Sequence, residues 1–149
     1  MTDTTPHERA IGLLARREYS RAELRERLLR HDHDADEVEA TLDCLANDNL
    51  QSDARFAEHF VRSRIGRLQG PRKISAELAA RGIDRELVRE ALDESDVDWF
   101  ELAAQALARR FSTPGADMKA RAKRQRFLAS RGFDGEQSRH ALESLDGEA

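Results

Sequence analysis

Apolar residues in this chain recur in short helical registers, and the registers themselves recur. Val38, Leu42 and Leu45 fall on one helical face, as do Val88 and Leu92. Ahead of each such face lies another: Leu24 with Leu28, Ile74 with Leu78, and Met118 with Ala122 and Leu128. A further set precedes those: Ile11 with Leu14; Phe56, Phe60 and Val61; Trp99, Leu102 and Ala106. These predict first helices over 10–17, roughly 53–68, and 98–111. No segment alternates apolar and polar residues convincingly enough to predict a strand.

The residues between the faces act as punctuation. The passage RGIDRELVREAL (81–92) returns fifty residues later as RGFDGEQSRHAL (131–142). Asp34, Asp84 and Asp134 each suit an N-cap, where a carboxylate accepts from free amides of the first helical turn. Asp34 to Glu37 has the spacing of a capping box, as has Ser20 to Glu23. Gly82 and Gly132 suit a left-handed helix stop. Arg-Gly-apolar-Asp therefore reads as a turn: one helix ends, an apolar residue tucks in, and the next helix begins. Gly70-Pro71 opens a second middle helix, with proline where an amide is dispensable. Pro114-Gly115-Ala116-Asp117 opens the third.

Residues 71–92 and 121–142 agree at ten of twenty-two positions, among them Lys73/Lys123, Leu78/Leu128, Arg81/Arg131, Asp84/Asp134 and Leu92/Leu142. Residues 21–42 keep only Leu28, Asp34, Val38 and Leu42 of the same frame, with His33 where Ile83 and Phe133 stand. Three copies of one unit follow, the first the most diverged. The fold class expected is all-α: three tandem three-helix repeats stacked into an elongated, curved rod. The divisions expected are a flexible N-terminus over 1–6, repeats over 7–50, 51–95 and 96–149, the last with a short C-terminal tail, and flexible joints near 46–52 and 93–98.

Composition narrows the class. Charged residues make up 36% and apolar ones 39%, which suits a helix-rich protein with a modest core. No apolar run approaches the ~18 residues that span a bilayer, so no membrane association is expected. The first residues lack the pattern of a signal peptide. The single cysteine, Cys44, allows no internal disulfide, and a reducing, cytoplasmic compartment is the simplest expectation. Catalytic motifs are absent: there is no phosphate loop, HExxH, GxSxG or CxxC. No catalytic residue, cofactor or metal is expected. His31-Asp32-His33 has only local spacing, and His33 reads better as a stand-in for Ile83. Trp99 reads as a core anchor, Tyr19 as a staple before the Ser20 cap, and Cys44 as an ordinary helical residue.

The net charge of −4 conceals a block pattern. Residues 109–131 hold Arg109, Arg110, Lys119, Arg121, Lys123, Arg124, Arg126 and Arg131 against Asp117 alone, and 55–73 hold six basic residues against Glu58. By contrast, 32–50 are acidic without Lys or Arg, and 84–101 are strongly acidic. Pairing along a helix needs both signs on that helix. The 109–131 block therefore points to pairing between repeats or to an acidic ligand. Two patches are the candidate partner-binding sites: Arg62, Arg64, Arg67, Arg72 and Lys73, and Lys119, Arg121, Lys123, Arg124 and Arg126. These assignments rest on charge alone.

The stretches IGLLARREYSRAELRERLL (11–29) and SDARFAEHFVRSRIGRLQGPRKISAELAARGI (52–83) carry a resemblance. With Arg17-Glu18-Tyr19-Ser20, Glu23-Leu24, Asp53, Arg55-Phe56-Ala57, Gly70-Pro71 and Arg81-Gly82-Ile83, the chain resembles the RecX family over residues 7–145. The third repeat departs most, with its extra basic residues and longer STPGAD turn. The resemblance implies tandem three-helix repeats and a non-enzymatic regulator of the RecA recombinase. Such a regulator binds RecA filaments on single-stranded DNA along their groove, and filament extension, ATP hydrolysis and strand exchange fall. Weak direct DNA contact and a monomeric chain are compatible with this. The rivals are a direct DNA-binding helical module and a helical scaffold for other proteins. The acidic third helices oppose major-groove readout.

Overall fold

The computed structural model describes residues 4–147, and among them it holds nine helices and no strand. The first repeat supplies α1 (Pro6–Leu14), α2 (Arg21–Arg30) and α3 (Ala35–Asn47). The second supplies α4 (Asp53–Gly66), α5 (Pro71–Ala80) and α6 (Arg85–Glu94). The third supplies α7 (Trp99–Arg110), α8 (Met118–Ser130) and α9 (Gly135–Gly147). Of the N-terminal segment expected over 1–6, residues 1–3 lie outside the described residues, as do 148–149 of the expected C-terminal tail.

Most helix limits follow from the caps. Ser20 Oγ accepts from Glu23 N at 3.1 Å while Glu23 Oε1 accepts from Ser20 N at 3.0 Å, a complete capping box. Asp34 accepts from Asp36 N and Glu37 N, Asp98 from Phe100 N and Glu101 N, and Asp117 from Ala120 N. The first helix differs from its expected span of 10–17. It starts earlier because Thr5 Oγ1 accepts from Glu8 N and Pro6 stands at the first helical position, and it ends before Arg16.

Packing divides the chain into two compact units, residues 1–59 with 78–91, and residues 60–77 with 92–149. The division does not follow the repeats, because the middle repeat contributes to both. In the first unit, Ala10, Tyr19, Leu24, Leu28, Val38, Leu42 and Leu45 form a buried cluster, with Leu13 and Leu14 against it. Ile11, expected on that face, is exposed; Ala10 and Leu13 serve instead. In the second unit, Leu102, Ala103, Ala106, Leu107, Leu128, Phe133, Ala141 and Leu142 form the cluster, with Trp99 and Phe127 packed on it. Met118 is 88% exposed, since the first residue of α8 lies beyond the reach of this core.

Each unit contains one copy of the same joint. In the second unit, the start of α5 rests on the Arg-Gly turn that ends α8. Gly70 N donates to Arg131 O at 2.6 Å, and Arg72 N donates to Gly132 O at 3.0 Å. The approach is so close that a Cβ on Gly70 would stand 2.5 Å from the Gly132 carbonyl. In the first unit, the start of α2 meets the Arg-Gly turn that ends α5. Ser20 Oγ donates to Arg81 O at 2.8 Å, and a Cβ on Gly82 would meet Ala22 Cβ at 2.6 Å. Ser20, Ala22, Arg81 and Gly82 become Gly70, Arg72, Arg131 and Gly132 on adding fifty to each number.

The joint requires glycine for two reasons. Gly82 and Gly132 have φ of +78° and +98°, and each lies against another helix. The equivalent turn of the first copy carries Asp32 at φ +59°, a conformation aspartate tolerates better than most residues. Asp32 is exposed, so no close approach demands a missing Cβ there.

The connection over 46–52, expected to flex, is tied to the core of the first unit. Arg55 donates to Asn49 O and Leu50 O, both at 3.1 Å, and Gln51 Nε2 reaches Tyr19 O at 3.3 Å.

Gly132→Ala should destabilise the protein by at least ~3 kcal/mol, from backbone strain and the 2.5 Å clash with Lys73 Cβ. Gly135→Ala, at the first position of α9 with nothing within 4 Å, should be neutral or stabilise by up to ~1 kcal/mol. Urea unfolding of the two variants checks the pair.

Candidate partner-binding site

Apart from Gly70-Pro71, the residues quoted for the family resemblance lie in the first unit, where several of them fasten one element to another. Arg55 Nε donates to both oxygens of Glu18, at 2.9 and 3.0 Å. Asp53 Oδ1 accepts from Arg21 N at 2.8 Å and from Gln51 Nε2 at 2.9 Å, so it helps to cap α2. Tyr19 is buried, with the Arg17 guanidinium 3.6 Å from its ring centroid. Glu23 completes the Ser20 box and lies 3.5 Å from Arg17. These side chains hold backbone to backbone, and their polar groups are consumed in doing so.

Charge is also consumed inside the first repeat. Arg21 pairs with Asp43 at 2.6 Å, and Arg25 Nε pairs with Glu39 at 2.6 Å. The basic side of α2 thus faces the acidic side of α3. The hydrogen bond from Arg25 holds the Glu39 carboxyl below its ordinary value of 4.5, and the same bond raises Arg25.

The third repeat lacks this balance. Of the five residues expected there, Arg121 pairs with Asp146 at 2.9 Å. Arg124 donates to Thr113 O at 2.7 Å and Ala120 O at 2.9 Å, and its guanidinium lies 4.3 Å from the Phe111 ring centroid. It pins the STPGAD turn. The other three, Lys119, Lys123 and Arg126, stand at i, i+4 and i+7 of α8 and so share one face. All three are exposed and make no ion pair among the described residues.

The earlier patch divides in the same way. Arg64 pairs with Glu77 and lies over the Phe60 ring, 4.3 Å from its centroid. Lys73 is half-buried with its backbone in the joint at Gly132. Arg62, Arg67 and Arg72 are exposed. Arg131 Nη2 donates to Arg67 O at 2.6 Å, which fastens the end of α4 to the end of α8. Both expected patches therefore belong to the second unit. That unit holds more Lys and Arg than Asp and Glu, and the first holds the reverse.

Arg109 and Arg110 belong to the 109–131 block but stand outside both candidate patches. Both are exposed at the end of α7 and line a groove with Arg131. His33, by contrast, is only half-buried where Ile83 and Phe133 are buried, and it accepts from Arg9 Nε at 3.2 Å. Among the described residues no three His, Cys, Asp or Glu side chains gather as a metal site would need, and no helix is long and apolar enough to cross a membrane.

Among the described residues, nine helices in three copies define an all-α tandem three-helix repeat protein. Three family models match in succession: RecX, first three-helix domain, over 7–45; second three-helix domain, over 52–92; and third three-helix domain, over 96–142. The chain belongs to the RecX family. It is 59% identical over 140 residues to the regulatory protein RecX of Chromohalobacter salexigens, covering 94% of this chain and 92% of that one. It is 41% identical to the regulatory protein RecX of Halorhodospira halophila, covering 92% and 86%. The crystal structure of RecX from Lactobacillus salivarius superposes with a TM-score of 0.81 over 95% of this chain and 94% of that one, at 24% identity, which shows the shared fold.

A depressed carboxyl contributes stability above its ordinary value, and that stability is lost as pH falls through the folded value. Glu39→Gln should therefore lower the melting temperature at neutral pH, and the difference from wild type should close on titration below 4.5. Substituting Lys119, Lys123 and Arg126 together by alanine should change stability by less than ~1 kcal/mol, because among the described residues these side chains hold nothing. Chemical denaturation tests this second expectation.

Proposed function

We infer that the chain binds RecA and its filaments on single-stranded DNA and inhibits filament extension, ATPase and strand exchange, so modulating DNA repair and recombination. Membership of the RecX family supports this reading, and its relatives are named regulatory proteins. The observation that carries it to particular residues is the exposed face of Lys119, Lys123 and Arg126, with Arg67 and Arg72 also exposed in the same unit. Cations that find no partner among the described residues keep their charge for a partner's surface. The role of these residues is electrostatic docking to acidic RecA surface or to filament phosphates. The action is that of a non-enzymatic, monomeric regulator in the cytoplasm.

Direct DNA readout is the weaker reading. In a helix-turn-helix unit the last helix enters the major groove. Here α3 carries Asp36, Glu37, Glu39 and Asp43, and α6 carries Glu86, Glu90, Asp93 and Glu94. Phosphates would repel both.

The test is RecA polymerisation and ATPase on single-stranded DNA with this chain in stoichiometric excess. Wild type should suppress both. The Lys119/Lys123/Arg126 triple alanine variant should bind filaments about tenfold more weakly and with a flatter dependence on salt. Undiminished polymerisation with wild type overturns the reading, and tight binding to duplex DNA without RecA favours the DNA-binding alternative.

A further inference from the structure

We propose that a groove in the second unit receives one apolar side chain of a short acidic peptide segment. Leu68, Ala106 and Phe127 form its floor, and Arg109, Arg110 and Arg131 form its rim. The space measures about 170 Å³. An apolar cavity of ~150 Å³ accommodates a benzene ring, so one leucine or phenylalanine side chain fits.

Three arginines line the groove beside its apolar side chains, with no acidic residue in the lining, and this composition points to the occupant's chemistry. Arg109 and Arg110 lie in the last turn of α7, where cations suit the helix dipole. That accounts for two charges at one helix end. It does not account for Arg131, which arrives from the end of α8 and is held by its bond to Arg67 O. Phe127 is likewise fixed, edge-on to Phe111 with centroids 5.6 Å apart. The rim and floor are thus partly preorganised, which lowers the ordering cost of binding.

Charge complementarity requires an anion, and the floor requires an apolar group beside it. A nucleic acid strand could offer both, but the same unit carries Asp93, Glu94, Asp96, Asp98 and Glu101 just ahead of or within α7. That run opposes the long track of a polyanion and leaves room for a short segment with local charge. The proposal deepens the reading of the chain as a binder of protein, and it rests on that reading.

The probe is a blocked hexapeptide, Glu-Asp-Leu-Phe-Asp-Glu, titrated into the full chain with amide shifts followed by NMR. Two comparators are the peptide with Ser-Ser in place of Leu-Phe, and oligo(dT) of matched charge. The expected result is saturable shifts at Ala106, Arg110, Phe127 and Arg131 with the first peptide, and binding about tenfold weaker with the serine peptide. Arg109→Gln with Arg110→Gln, both exposed positions, should weaken the first peptide about tenfold while leaving the circular dichroism unchanged. The proposal falls if the groove amides do not move, if the serine peptide binds equally, if the double variant binds like wild type, or if oligo(dT) moves the same amides more strongly. No RecA is present in this titration, so its failure leaves the filament assay standing, and failure of the filament assay leaves a positive titration standing.

Discussion

The first amides of one helix resting on the carbonyls of another repeat's Arg-Gly turn is the contact on which this fold depends. A helix start leaves amides without partners inside the helix, and burying them unpaired is costly. Here the next copy of the repeat supplies the acceptors: Arg131 O and Gly132 O for α5, with Arg81 O accepting the Ser20 hydroxyl at the start of α2. A small repeat buries too little apolar surface to stand alone comfortably. Sharing a cap across the repeat boundary makes the boundary itself part of the core. The two compact units therefore cut across the middle repeat instead of falling between repeats.

This contact also explains which copies diverge. The Arg-Gly turns of the second and third copies each take a helix start against them, so both need glycine and both keep it. The first copy's turn bears Asp32 and His33, is exposed at Asp32, and among the described residues supports no helix start. It still needs positive φ, which aspartate provides at some cost, but not the missing side chain. At the other end, α8 finds no later turn among these copies, and Asp117 caps it from its own loop. The longer STPGAD turn and the Arg124 clamp belong to that arrangement.

Much of this was legible in the sequence because caps, glycine stops and helical registers are local. Ser20, Asp34, Asp84, Asp134, Gly82 and Gly132 all do what their residue type and position indicate. The electrostatics were legible only as blocks. Which cations remain available depends on the direction each points, and that is set by tertiary contacts many residues away. Arg64 and Arg121 find carboxylates, and Arg124 finds carbonyls, whereas Lys119, Lys123 and Arg126 find none among the described residues. The resemblance motifs posed the opposite problem. Glu18, Asp53 and Arg55 look like a polar site in one dimension, yet in three dimensions they are fasteners.

The fifty-residue offset between the two joints has an evolutionary corollary. The middle copy carries both a socket for its predecessor, in the Arg81-Gly82 turn, and a plug for its successor, at Gly70 and Arg72. In-frame duplication of such a copy delivers both halves of a new junction at once, so the chain could lengthen without inventing a new interface. Slippage by even a single residue would separate plug from socket, and this favours growth in whole modules.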